Sequence, residues 1–104
     1  MHIAKRPDSR QGAIRLVFRG RGLDRAFLEF TADRARRLAL SGWAEEGCSG
    51  EVTVVVSGPI ALADALEMAC MLGPLHCLVD VVERSDEPPH SVRRPGFLIR
   101  PPGG

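Results

Sequence analysis

From Ala13 the chain alternates, with Ile14, Leu16 and Phe18 falling on one side and Arg15 and Arg19 on the other. A period of two predicts a half-buried strand over 13–19. A glycine-bearing loop, Gly20–Asp24, follows. Phe27, Thr31, Ala35 and Leu38 then recur at helical spacing with Phe30 beside them, while Arg34, Arg36 and Arg37 come late, where cations suit the helix dipole. Asp24 stands where an N-cap belongs. Ser41-Gly42 ends this helix and begins a predicted hairpin. Trp43 lies in its first strand, Gly47–Gly50 makes the turn, and Glu51–Ser57 forms the second strand. Val52, Val54, Val55 and Val56 make that second strand almost continuously β-branched, as in a central strand.

Ser57-Gly58-Pro59 predicts a second helix start. Leu62, Leu66, Ala69 and Cys70 give that helix a core stripe, and Gly73-Pro74 stops it. A further strand is expected within LHCLVDVVE, a loop from Ser85 to Pro95, and a last short strand in PGFLIR. The order β-α-β-β-α-β with a terminal strand predicts an α+β, ferredoxin-like sandwich, a mostly antiparallel sheet with two helices on one face. One domain over 13–100 is expected, between a flexible tail at 1–12 and a C-terminal tail at 101–104. That fold alone assigns no function.

Composition narrows the classes. The chain has 104 residues, 44% hydrophobic and 26% charged, with a formal charge of +1. Such a balance argues against a dedicated nucleic-acid or membrane-surface binder. Thirteen of the fourteen basic residues are arginine. Arginine suits oxyanions, but uniform use along a chain also fits a GC-rich, here bacterial, genome. Cys48, Cys70 and Cys77 are odd in number and lack C-x-x-C spacing, so reduced thiols in a cytoplasmic setting are expected. No apolar run approaches a membrane span, and no secretory leader is read.

The loop poses the chemical question. A glycine–arginine turn between strand and helix can cradle an anion through backbone N–H groups. The candidates for this are Gly20, Arg21, Gly22, Leu23, Asp24, Arg25, Ala26 and Phe27. Asp24 would repel the same anion, and its plainer reading is a helix cap. Glu45, Glu46 and Cys48 have no metal-ligand spacing, and His76 beside Cys77 lacks a third partner readable from sequence. No metal and no cofactor are expected. His2 and His90 fall in the expected tail and loop.

GRGLDRAFL at Gly20–Leu28 and LALSGWAEE at Leu38–Glu46 resemble the acylphosphatase family, whose loop reads G-R-V-Q-G-V-G-F-R and whose first helix leads into L-x-G-W-V-x-N. The resemblance extends from Ala13 to Arg100. It implies hydrolysis of acyl phosphates without metal or covalent intermediate. Loop amides and an arginine would hold the phosphate, and an asparagine would position the water. Position by position, the arginine falls on Leu28 and the asparagine on Glu46. Leucine supplies no donor, and Asp24 and Ala26 replace loop glycines that permit positive φ. The reading is therefore an acylphosphatase-like domain without catalysis, a pseudoenzyme serving as a binding or interaction module. The alternative is an atypical acylphosphatase in which Arg21 or Arg25 substitutes, with Glu46 as water-orienting group. Arg25 could equally pair with Glu29. The candidate partners are a small anion or acyl phosphate, a second copy of the chain, or another protein meeting an exposed strand at 51–57 or 77–83. Nucleic acid and membrane are not expected. Trp43 is expected as a core or pocket-wall residue.

Overall fold

The computed structural model describes residues 10–102. The remainder of the expected tails, 1–9 and 103–104, lies outside the described residues. Along the chain run β1 (Gln11–Arg21), α1 (Arg25–Arg37), β2 (Ser41–Glu46), β3 (Val52–Pro59), α2 (Ile60–Leu72), β4 (Leu78–Glu87), a short 3-10 turn at Pro89–Ser91, and β5 (Phe97–Arg100). The strands form one sheet in the order β4-β1-β3-β2-β5. All pairings are antiparallel except β2 with β5, which is parallel. This is the ferredoxin-like α+β arrangement that the periodicity predicts.

Even-numbered residues of the inner strands carry the core. Ile14, Leu16 and Phe18 of β1 and Val52, Val54 and Val56 of β3 cluster with Phe27, Leu28, Ala32 and Ala35 of α1 and Ala63, Leu66 and Cys70 of α2. Phe18 and Phe27 meet edge to face, ring centroids 5.7 Å apart, an arrangement that suits the ring quadrupoles. It anchors the first turn of α1 over the end of β1. Buried Thr31 satisfies its hydroxyl with the Cys70 thiol at 3.4 Å, joining the two helices.

Several boundaries differ from expectation. β1 begins at Gln11, paired with Pro59, so residues 11–12 of the expected tail belong to the sheet. β3 runs on to Pro59, which caps α2 from outside the helix. β4 continues to Glu87, so Ser85–Glu87 of the expected loop is strand. Backbone bonds to β1 hold it there. On the helix side Arg84 reaches Asp64 and Glu67 of α2 at 2.7 and 2.8 Å, and on the other face Arg15 donates to Glu87 at 2.9 Å. Of the two strands considered for pairing with a partner, the one at 51–57 is bonded on both sides, and only β4 lies at a sheet edge.

Trp43 is not a core residue. Gly42 and Ala44 take the inward positions of β2, so Trp43 points to the open face of the sheet. There it sits opposite Val55 and Leu98, with the Arg100 guanidinium 4.3 Å from its ring centroid. It helps line a cleft of about 320 Å³ together with Arg93, Arg94, Leu98 and Arg100.

Candidate functional site

The loop leaves the sheet where four strands end or begin together. Phe18 pairs with Val52, and Val52 pairs with Glu46. Glu46 therefore shares the helix-side row of the sheet end from which Gly20–Asp24 departs. At that end a shallow depression of about 140 Å³ is lined by Arg19, Gly20, Ser49, Gly50 and Glu51.

Two glycines allow the loop to lie flat on β4. The register between β1 and β4 shifts at Arg19/Gly20, and a Cβ on Gly20 would overlap the Leu78 carbonyl oxygen. Gly22 adopts φ +70, and a Cβ there would come within 2.6 Å of the His76 carbonyl oxygen. Its own carbonyl accepts the Asp24 N–H at 2.9 Å and the Cys77 S–H at 3.0 Å. Leu23 turns inward and is buried.

Asp24 caps α1 as expected, with extended φ and ψ. Its Oδ1 accepts the N–H groups of Ala26 and Phe27 at 3.1 and 3.3 Å. The same oxygen lies 3.2 Å from Nε2 of His76. The hydrogen bond with His76, joined by the Phe27 N–H, holds the Asp24 carboxyl below its ordinary range despite some desolvation. Partial burial, with the Asp24 charge adding to it, pushes the Cys77 thiol up. The first turn of α1 contains no acidic residue, so this capping carboxylate answers the helix dipole from outside.

The positions assigned by resemblance separate sharply. Leu28, in place of the phosphate-binding arginine, is 3% exposed and belongs to the core cluster. Glu46, in place of the asparagine, is half-buried at the end of β2. Neither supplies a donor to an anion. Among the arginines, Arg25 bonds Glu29 one turn along the helix at 3.1 Å, and Arg19 bonds Glu83 across to β4 at 3.2 Å. Among the described residues Arg21 makes no ion pair. Glu45 approaches Arg100 at 3.8 Å, and Cys48 is exposed and free in the hairpin turn. His90 is exposed, in the 3-10 turn. Among the described residues no helix is long and apolar enough to cross a membrane.

Sequence reasoning missed the pairing of Asp24 with His76 and the approach of Cys77, because 52 residues separate the aspartate from the histidine. The signal that could have found it was topological. Gly73-Pro74 ends α2, Cys77 N–H closes a turn on the Pro74 carbonyl, and β4 must then start beside the end of β1.

Known proteins agree with this architecture. A family model described as Acylphosphatase matches residues 14–99. An acylphosphatase of Acidiphilium cryptum is 37% identical over 92 residues, covering 88% of this chain and 98% of that protein. One of Rubrobacter xylanophilus is 36% identical over 87 residues, 84% of this chain and 78% of that protein. The solved structure of an acylphosphatase from Coxiella burnetii superposes with a TM-score of 0.77 at 23% identity, covering 86% of this chain and 93% of that one. This last likeness speaks for the fold. Taken with the family match and the two sequence relatives, it leaves one placement: the chain belongs to the acylphosphatase family.

Proposed function

We propose that this domain keeps the acylphosphatase scaffold without turning over acyl phosphates, and acts as a binding or interaction module. One observation carries the reading. The N–H groups of Ala26 and Phe27, which the family loop would offer to phosphate, are taken by the domain's own Asp24 carboxylate. A phosphate dianion entering there meets a fixed negative charge instead of a free amide pair. The buried Leu28 supports the same conclusion, since no guanidinium projects from that position.

A second reading has one observation in its favour. Arg21 matches the family's loop arginine and, among the described residues, is in no ion pair. An atypical acylphosphatase would use it to hold phosphate, with Glu46 orienting water.

Benzoyl phosphate hydrolysis by the purified domain separates the two. The proposal expects no rate above the uncatalysed one, and no movement of the Gly20–Phe27 amide signals at millimolar phosphate. It also expects activity to emerge when Asp24→Gly, Leu28→Arg and Glu46→Asn are combined. Hydrolysis by the unaltered protein that disappears in Arg21→Ala would overturn it in favour of the second reading.

A further inference from the structure

The Asp24–His76–Cys77 group lies beside the cradle and differs from it in chemistry. Its three side chains each offer one donor atom of a different kind, a carboxylate oxygen, an imidazole nitrogen and a thiol sulfur. These atoms all lie within 4.8 Å of one another. A tetrahedral zinc ion with bond lengths of about 2.0–2.1 Å to nitrogen and oxygen and about 2.3 Å to sulfur sets donor separations of roughly 3.3–3.6 Å. The His76–Asp24 separation of 3.2 Å already matches that edge. Bringing in the sulfur takes a displacement of about 1 Å, within the reach of side-chain rotations. The His76 and Asp24 side chains are 51% and 57% exposed, so an ion can reach both from solvent.

The supports of the group are in place too. The hydrogen bonds to Asp24 all fall on Oδ1, where two helix amides orient the carboxylate, and the His76 contact to that oxygen is exchanged for the metal when the ion enters between them. Gly22 lets the loop lie directly on the His76 backbone, and its carbonyl accepts the Cys77 S–H, a bond that gives way to the metal when the thiol ionises. An ordered carboxylate, a tethered imidazole and an oriented thiol give three ligands, with a fourth position open to water.

We propose that Asp24, His76 and Cys77 form a three-ligand site for a borderline-soft divalent transition metal such as Zn²⁺. The mixed S/N/O set selects this class over Mg²⁺ or Ca²⁺, which demand oxygen shells. On binding, the Cys77 thiol gives up its proton to solvent, sulfur becomes a thiolate ligand, and neutral His76 ligates through Nε2. The sequence led to the expectation of no metal site, since it shows the His76-Cys77 pair without its carboxylate. The inference is independent of whether the domain hydrolyses acyl phosphates.

The test is a Co²⁺ titration of the reduced, metal-free protein. One equivalent is expected to produce a thiolate-to-cobalt charge-transfer band, displaced by Zn²⁺ alone. Cys77→Ser removes the band and Cys48→Ser leaves it unchanged. His76→Gln weakens binding by at least the about tenfold that loss of an outer-shell partner alone can cost. Asp24→Asn retains the helix cap, so its weaker binding is read in a folded protein, with circular dichroism as the check. Absence of the band at several-fold excess Co²⁺ would overturn the proposal. So would a band that survives Cys77→Ser and vanishes in Cys48→Ser, because it would place the metal in the hairpin turn.

Discussion

Replacing Leu28 by alanine tests whether position 28 belongs to the core or to the cradle. With 3% of Leu28 exposed, nearly the whole side chain is out of water against the cluster that includes Leu23, Phe27 and Ala32. Burial of such a side chain contributes about 1.5–3 kcal/mol. Truncation also leaves a void that the surroundings close only in part, so Leu→Ala changes in cores cost about 2–5 kcal/mol. Leu28 sits in the first turn of α1, near a loop that can relax, which favours the lower half of that range, about 3 kcal/mol. At roughly 4–8 °C per kcal/mol for a domain of this size, the melting temperature should fall by about 12–24 °C. Calorimetry and urea unfolding measure this directly. A side chain projecting into an open cradle would behave as a surface residue, with a change within about 0.5 kcal/mol. A Leu28→Ala melting within about 4 °C of the unaltered protein would refute the packing reasoning and return position 28 to the site. Leu28→Arg should lose at least as much stability as Leu28→Ala, so any activity it restores must be assayed well below its melting point.

Other outcomes follow from the same structure. Gly20→Ala should cost more than about 2 kcal/mol, because the new Cβ meets the Leu78 backbone, whereas Gly50→Ala, at φ +82 in open space, should cost only the about 1–2 kcal/mol of left-handed backbone strain; paired urea unfolding curves check the order. The Glu87 carboxyl is held below its ordinary value of 4.5, chiefly by Arg15 and also by Ser91. A depressed folded-state pKa gives stability that is present above 4.5 and lost as pH falls through the lower folded value, so Glu87→Gln should flatten the acid limb of a stability–pH curve in that window while leaving its neutral slope unchanged. Burial raises the Cys70 thiol to about 11, so a thiol-directed reagent at neutral pH should label exposed Cys48 readily and reach Cys70 only on unfolding. Fast labelling of Cys70 in the native protein would show that the α1–α2 seam opens.

How much of the structure is legible in the sequence depends on what encodes each feature. β1 and both helices were legible because their cores lie on one face, which writes a period of 2 or 3.6 into the chain, and β3 because its near-continuous valines mark a central strand. Asp24 was readable as a cap because capping is local. The far half of β4 was not, since an edge strand held by backbone bonds and by Arg84 and Glu87 needs no apolar pattern. The outward turn of Trp43 was written in its small neighbours Gly42 and Ala44, which decide between the core and pocket-wall places expected for it in favour of the wall. At the site, the loss of the arginine was plain at Leu28. Its burial, and the diversion of Arg25 to Glu29, required the packing. The meeting of Asp24, His76 and Cys77 depended on strand order, which no local signal states.

The position of β4 at the rim of the sheet has a consequence for solubility. An edge offers unpaired N–H and C=O groups to any other extended chain, and Leu78 and Val81 are exposed on this one. Asp80, Glu83, Arg84, Asp86 and Glu87 punctuate the rest of the strand, so a second chain docking there would have to desolvate a charge at almost every step. At the opposite rim β5 is only four residues long and runs into Pro101, whose ring cannot donate a ladder hydrogen bond. Charge at one border and brevity at the other act as gatekeepers against fibrillar stacking, so neutralising Asp80 and Glu83 together would expose a continuous β-prone segment from Leu78 onward and raise the tendency to aggregate.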